Sequence, residues 1–400
     1  MRNTTAKAIG FNLLMVNSFV YIAFSVYAPF LTLYYTEKGL SAGQIGILST
    51  IGPIMAIFIQ PLWAMLSDKT GKRKDVLSLV VIGSGLSLFS YYLGSGFLTF
   101  FFATILLSIF VNSIIPLSDA IVIQDAKKHN LDFAKIRLGG TIGFAVMVAA
   151  AGSYLKRNPS IQFIFGFIAF MVLLLFIRIL PKDNKKERQT LKARRFAIKL
   201  PKLNGLLHIF NTRLILFILA FALLSQIGIS FYFSFMGVYV SELGFDQNIL
   251  GLLNSVSAFS EIPVLIFINR ILKRFGAMKI IIFSCMLLGI RMLLMASGFL
   301  SLLFFAQMFH GVTFMTIYFS CAVFISEHVL PEKQSQGQST LAIVQAGIGS
   351  VIGNVAGGYL VDYLTVKTTF QLIAILILSM TTIIMVIQIL YTKKMKTKAV

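Results

Sequence analysis

Apolar residues in this chain come in long runs, and short polar turns interrupt them at nearly even intervals. A helix rising about 1.5 Å per residue needs about 20 mostly apolar residues to cross the hydrocarbon core of a bilayer. Scanned with that window, the runs predict twelve spanning helices, at 9–34, 42–64, 76–94, 98–124, 138–156, 161–180, 213–240, 247–269, 280–298, 300–327, 339–361 and 369–391. Strands are excluded as the spanning element, because the runs do not alternate and an open sheet would leave unpaired backbone groups in lipid. The first run is too long for a signal peptide and no small-residue cleavage site follows it, so it reads as the first span. The expected class is an all-α membrane protein.

The only long polar interval, Pro181 to Phe210, follows the sixth run and divides the chain. The expected organisation is a six-helix bundle over 1–180, a cytoplasmic basic linker over 181–210 and a second six-helix bundle over 211–400. At an offset of 205 residues the halves match: Glu37 and Gly39 meet Glu242 and Gly244, Gly46 meets Gly251, Gly71 meets Gly276, and Lys74 meets Lys279. The Gly-Ser-Tyr-Leu stretch at 152–155 likewise meets Gly-Gly-Tyr-Leu at 357–360. One register for the whole set indicates an internal repeat. An even number of spans per half makes the repeats parallel, which predicts two facing bundles with a solute cavity between them.

Composition agrees with the pattern: 57% hydrophobic residues, 12% charged and a mean hydropathy of +0.87 exclude an ordinary soluble chain. A net charge of +21 invites a nucleic-acid reading, so the placement of the charges decides. Loops on the side of the termini hold 28 Lys and Arg, against four on the other side: Lys38, Lys156, Arg157 and Lys367. That asymmetry predicts cytoplasmic termini in a cell-membrane protein and leaves no basic groove for nucleic acid. Cys285 and Cys321 lie in apolar runs without metal-like spacing and read as packing residues. No cofactor, metal or enzyme chemistry is indicated, since no nucleophile, base and orienting group stand at workable spacing. The expected partners are a small solute, protons and the bilayer, with the chain acting as a monomer.

Ionisable groups inside a span cost about 2.5 to 3.5 kcal/mol on insertion scales, so they face a cavity or a partner. Five stand out: Asp119 in the fourth span, Arg137 opening the fifth, Glu261 in the eighth, Arg291 in the ninth and His310 in the tenth. Glu261, Arg291 and His310 come to similar depths near mid-membrane, which suits a proton-coupling group; a Glu261–Arg291 ion pair that only fixes packing is the structural alternative. Gln307, one turn before His310, is placed to hydrogen-bond a solute or a neighbouring helix. Asp119 and Arg137 can meet across a short turn, as a binding pair or as a helix-end salt bridge. Asn254 is an uncharged polar candidate. Among Tyr27, Tyr34, Tyr35, Tyr232 and Tyr239, most read as an interfacial belt, and Tyr27, beside Pro29, as a cavity residue. A charged turn around Gly71, with Asp68, Lys72 and Arg73, closes the second run.

That turn, LSDKTGKRK, resembles the loop between the second and third helices of the major facilitator superfamily, G-x-L-A-D-R-x-G-R-R, with Ala64 in place of its first glycine. Further stretches are similar to the branch that holds the lactose and phenylpropionate permeases: Ile136 to Phe144 (IRLGGTIGF), Glu261-Ile-Pro263, Lys273 to Gly276, Arg291, and Gln307 to Gly311 (QMFHG). The resemblance covers the whole chain. It implies proton-coupled uptake of a sugar, nucleoside or aromatic acid by alternating access, solute binding at Asp119 and Arg137, and proton coupling at Glu261, Arg291 and His310. For the loop, it implies that Asp68 helps gate the cytoplasmic side. One departure stands out: the lactose permease has a carboxylate one turn after its tenth-helix histidine, where this chain has Thr313. The proline-bearing glycine motif of drug exporters is missing from Gly139 to Gly152, which favours import over multidrug export, and no signalling domain supports a non-transporting solute sensor.

Overall fold

The computed structural model describes residues 2–180, 213–330 and 333–398. The expected basic linker at 181–210, with its nine Lys and Arg, lies outside the described residues. Among the described residues, twelve helices are long and apolar enough to cross a membrane. They are α1 (Lys7–Glu37), α2 (Ala42–Thr70), α3 (Arg73–Tyr92), α4 (Phe97–Lys128), α5 (Phe133–Leu155), α6 (Ile161–Ile179), α7 (Leu214–Glu242), α8 (Gln247–Phe275), α9 (Ala277–Met295), α10 (Leu300–His328), α11 (Gln336–Tyr363) and α12 (Val366–Tyr391). Every expected run is a helix, and the helices of the described residues are joined without a strand.

By their internal contacts the helices form two units. The first holds α1 to α6 together with Val240–Phe259. The second holds α7 as far as Tyr239 and the chain from Ser260 onward.

The repeat is visible in the backbone. Gly39 and Gly244 have φ of 81° and 77°, and Gly71 and Gly276 have 65° and 78°. These are left-handed positions, which glycine adopts without a Cβ clash, so each repeat keeps glycine where its turn requires one.

Prolines set several irregularities. Pro29 replaces the regular turn of α1 with a short 3-10 segment at Ala28–Phe30. Pro116 lacks the N–H that would bond Asn112 O, and α4 is broken at Asn112–Ser113. A side chain fills the gap: Gln60 Nε2 donates to Asn112 O at 2.9 Å, while Asn112 Nδ2 donates to Gly52 O at 3.0 Å. Inside a bilayer a freed backbone carbonyl needs such a donor.

The aromatic belt expected at the outer helix halves is corrected. Tyr27, Tyr34, Tyr35, Tyr232 and Tyr239 are all buried. Tyr34, Tyr35 and Tyr91 close on Phe100 and Phe163 in one aromatic core of the first unit. Tyr239 packs on Phe370 and donates to Met295 O at 2.9 Å in the second. Ring packing, with hydroxyl partners as at Tyr35, Tyr232 and Tyr239, outcompetes the interface in these cases. Cys285 and Cys321 are buried free thiols, as expected.

Candidate functional site

In the second unit, Gly311 brings α8 and α10 together. A Cβ at Gly311 would lie 2.2 Å from Ser260 O, so only glycine permits this approach, and Gly311 N–H donates to Ser260 Oγ at 2.8 Å. The neighbouring residues are Glu261 and His310. His310 Nε2 lies 3.3 Å from Glu261 Oε1, with side chains 3% and 16% exposed. Glu261 stands halfway along α8. The imidazole is held by the rings of Tyr232, Phe233 and Phe314. Its Nδ1 is buried without a hydrogen-bond partner.

Arg291 completes the cluster from α9. It is fully buried, and its hydrogen bonds run to uncharged acceptors: Ala306 O at 3.1 Å, Gln307 Oε1 at 2.9 Å and Thr313 Oγ1 at 3.4 Å. The guanidinium also lies 4.2 Å from the centroid of the Tyr232 ring, and Tyr232 Oη donates to Gln307 Oε1 at 2.8 Å. Ala306 O is shared with Phe309 N–H at 3.2 Å, where α10 is interrupted between segments ending at Met308 and starting at His310. Thr313, which stands where the lactose permease has a carboxylate, is therefore a hydroxyl partner of the arginine. In place of the alternative Glu261–Arg291 ion pair, the carboxylate meets His310, because Gly311 sets the rotation of α10 against α8.

In the first unit, Asp119 Oδ1 lies 3.9 Å from Arg137 Nη1, both side chains about one-third exposed. Asn17 Nδ2 donates to Asp119 Oδ1 at 3.4 Å, and the Arg137 guanidinium lies 4.3 Å from the centre of the Tyr21 ring. Gly140 makes this possible, since its Cβ would meet Tyr21 and Asn17 at 2.4 and 2.6 Å. A carboxylate and a guanidinium on a tyrosine face can offer a solute both an acceptor and donors.

The remaining candidates lie elsewhere. Tyr27 packs against Phe24 and Phe170 in the core of the first unit rather than lining an opening. Asn254 Nδ2 donates to Leu250 O of its own helix at 2.9 Å. In the loop, Gly71 ends α2 and Arg73 donates to Gln124, while Lys74 reaches Asp125 at 3.7 Å. Asp68 is half-buried. The reading from sequence missed Asn17, Tyr21 and Tyr232. Asn17 and Tyr21 are four residues apart on one face of an apolar run, a signal that was present; Tyr232 carried none beyond its residue type.

Twelve apolar helices with buried ionisable clusters have the build of a secondary transporter. Residues 11–372 match the MFS_1 like family, and the chain belongs to it. It is 26% identical over 368 residues to the uncharacterized transporter YwbF of Bacillus subtilis, covering 90% of this chain and 88% of the relative. It is 28% identical over 353 residues to the maltose permease of Geobacillus stearothermophilus, covering 86% and 85%. Its fold matches a crystal structure of the nucleoside transporter NupG with a TM-score of 0.81, at 19% identity over 94% of this chain and 98% of that one.

Proposed function

We propose that this transporter takes up a small organic solute, a sugar, nucleoside or aromatic acid, together with a proton by alternating access. The observation that carries the reading is the Glu261–His310 pair at 3.3 Å in the buried interior of the second unit. A carboxylate and an imidazole in contact can share one proton, and desolvation makes the charged states costly unless a partner arrives. His310 Nδ1, buried without a partner, is the atom open to a solute hydroxyl. Arg291 supplies a fixed positive charge beside the pair and takes no proton itself, because guanidinium stays protonated. Gln307 is occupied by Arg291 and Tyr232 and serves to position them. Asp119 and Arg137 bind the solute, and the charged turn at Asp68, Gly71, Lys72 and Arg73 gates it. The chain works as a monomer.

Uptake into proteoliposomes with an imposed pH gradient, using radiolabelled sugars, nucleosides and aromatic acids, tests this. Accumulation should follow the gradient, and uptake indifferent to it would overturn proton coupling. Glu261→Gln should abolish accumulation while solute exchange continues. Normal accumulation by that variant would make the carboxylate structural.

A further inference from the structure

Helix α11 departs from regular geometry twice. Ile343–Gly349 and Ile352–Ala356 are π-helical, separated by Ser350 and Val351. Its counterpart in the repeat, α5, is a regular α-helix over Phe133–Leu155. A π turn holds one residue more than an α turn and is rare except as a single bulge, so two in succession need a cause from outside the helix.

That cause is a seam with α7. Gly349, Gly353 and Gly357 recur every four residues. Their absent Cβ atoms would lie 2.8 Å from Gln226 Cβ, 2.4 Å from Ile227 O and 2.5 Å from the Phe231 ring. Close backbone approach of this kind lets helices in a bilayer associate through small residues and hydrogen bonds. Beside the glycines, Ser230 Oγ donates to Ser350 Oγ at 2.9 Å, Gln226 Nε2 reaches Ser350 Oγ at 3.2 Å, and Ser234 Oγ donates to Asn354 Oδ1 at 2.9 Å. Ser350 also uses its backbone N–H and its hydroxyl on Gln345 O, five residues back, which is the π register. The seam thus lies against α11 where it takes the rarer winding, while the corresponding stretch of α5 is regular α-helix. A π winding held by contacts from a neighbouring helix and an α winding held by the helix's own hydrogen bonds would be scored by different interactions, which is the requirement for a bistable switch.

We propose that α11 is a register switch: its π turns relax to α winding in another step of the transport cycle, carrying Ser350 and Asn354 away from Ser230 and Ser234. Loss of one residue from a turn rotates the following face by about 100°, enough to break every seam hydrogen bond. The assignment of the two states to a cycle rests on the transport reading; the existence of the switch does not.

Hydrogen–deuterium exchange of the full chain in lipid nanodiscs, without solute, tests it. Peptides covering 343–356 should exchange in a correlated manner, as two isotopic envelopes, at least tenfold faster than peptides of α5. The Ser234→Cys/Asn354→Cys pair, in a chain with Cys285→Ala and Cys321→Ala, should slow that exchange at least tenfold when oxidised. Reduction should restore the rate of the same chain without the engineered pair, which also shows that the variant folds. Exchange no faster than in α5, or unaffected by the cross-link, would overturn the switch. A protein that shows the correlated exchange yet moves none of the test solutes would keep the switch and remove the transport cycle.

Discussion

Arg291 is a buried cation whose hydrogen bonds go to a carbonyl, an amide oxygen and a hydroxyl, with an aromatic face beneath it. Arg291→Met should remove one of the donors to each of Ala306 O and Gln307 Oε1, which keep those from Phe309 N–H and Tyr232 Oη, at about 0.5–1.5 kcal/mol for each lost hydrogen bond. Thermal unfolding in detergent should show a clear fall in Tm. Arg291→Lys should recover only part of it, because a point charge cannot reproduce the planar fork. Tyr232→Phe keeps the ring and loses the hydrogen bond to Gln307 Oε1, a contact whose loss should cost about 1 kcal/mol. Outside the membrane, Lys156 lies 2.8 Å from Asp246 and, by that hydrogen bond, holds the carboxyl below the usual carboxylate range. A depressed value in the folded state means that the contact stabilises above the ordinary value of about 3.9 and is lost as pH falls through the folded value. Lys156→Met should return Asp246 to the ordinary range, measured by carboxyl carbon NMR. The sequence made the depths of Glu261, Arg291 and His310 legible but not their partners. Depth follows from counting residues along a helix; partner choice depends on rotation about its axis, which Gly311 fixes through a contact 51 residues away.

At the scale of the element, the two helix interruptions differ in how far they could be read. In α4 the cause is local, since Pro116 removes the donor for Asn112 O, and Gln60 replaces it. Gln60→Ala should therefore cost about 1–3 kcal/mol in the native sequence and much less in Pro116→Ala, where a backbone N–H is available again. A double-mutant cycle on thermal stability should give a coupling of about 1 kcal/mol, and additivity would refute the account. The interruption of α10 at Phe309 has no proline, and Ala306 O there accepts from Phe309 N–H and from Arg291 of another helix. Nothing in the run from 300 to 327 announces it. The π turns of α11 were hidden for the same reason: the four-residue glycine spacing is visible, but the winding it permits depends on what α7 presents.

At the scale of the molecule, the twelve helices and the turn glycines were readable because both are dictated by short-range rules, hydrocarbon thickness and the left-handed φ of Gly39, Gly71, Gly244 and Gly276. The asymmetry of Lys and Arg between loops predicts orientation. A cysteine at position 72 should react with a membrane-impermeant maleimide only from the cytoplasm, and one at position 156 only from outside; the reverse pattern would invert the assignment. The second unit offers one further quantity. Among its described residues Glu261 is the carboxylate within the span interior, while Glu327 and Asp362 stand at helix ends. With one proton shared by the Glu261–His310 pair, the proposed cycle carries one proton per turnover. Moving one charge through 100 mV releases about 2.3 kcal/mol, and each 1.4 kcal/mol is about a factor of ten in concentration. For an uncharged solute the concentration ratio across the membrane is then capped at about fiftyfold for every 100 mV of driving force, however many copies of the protein the cell makes.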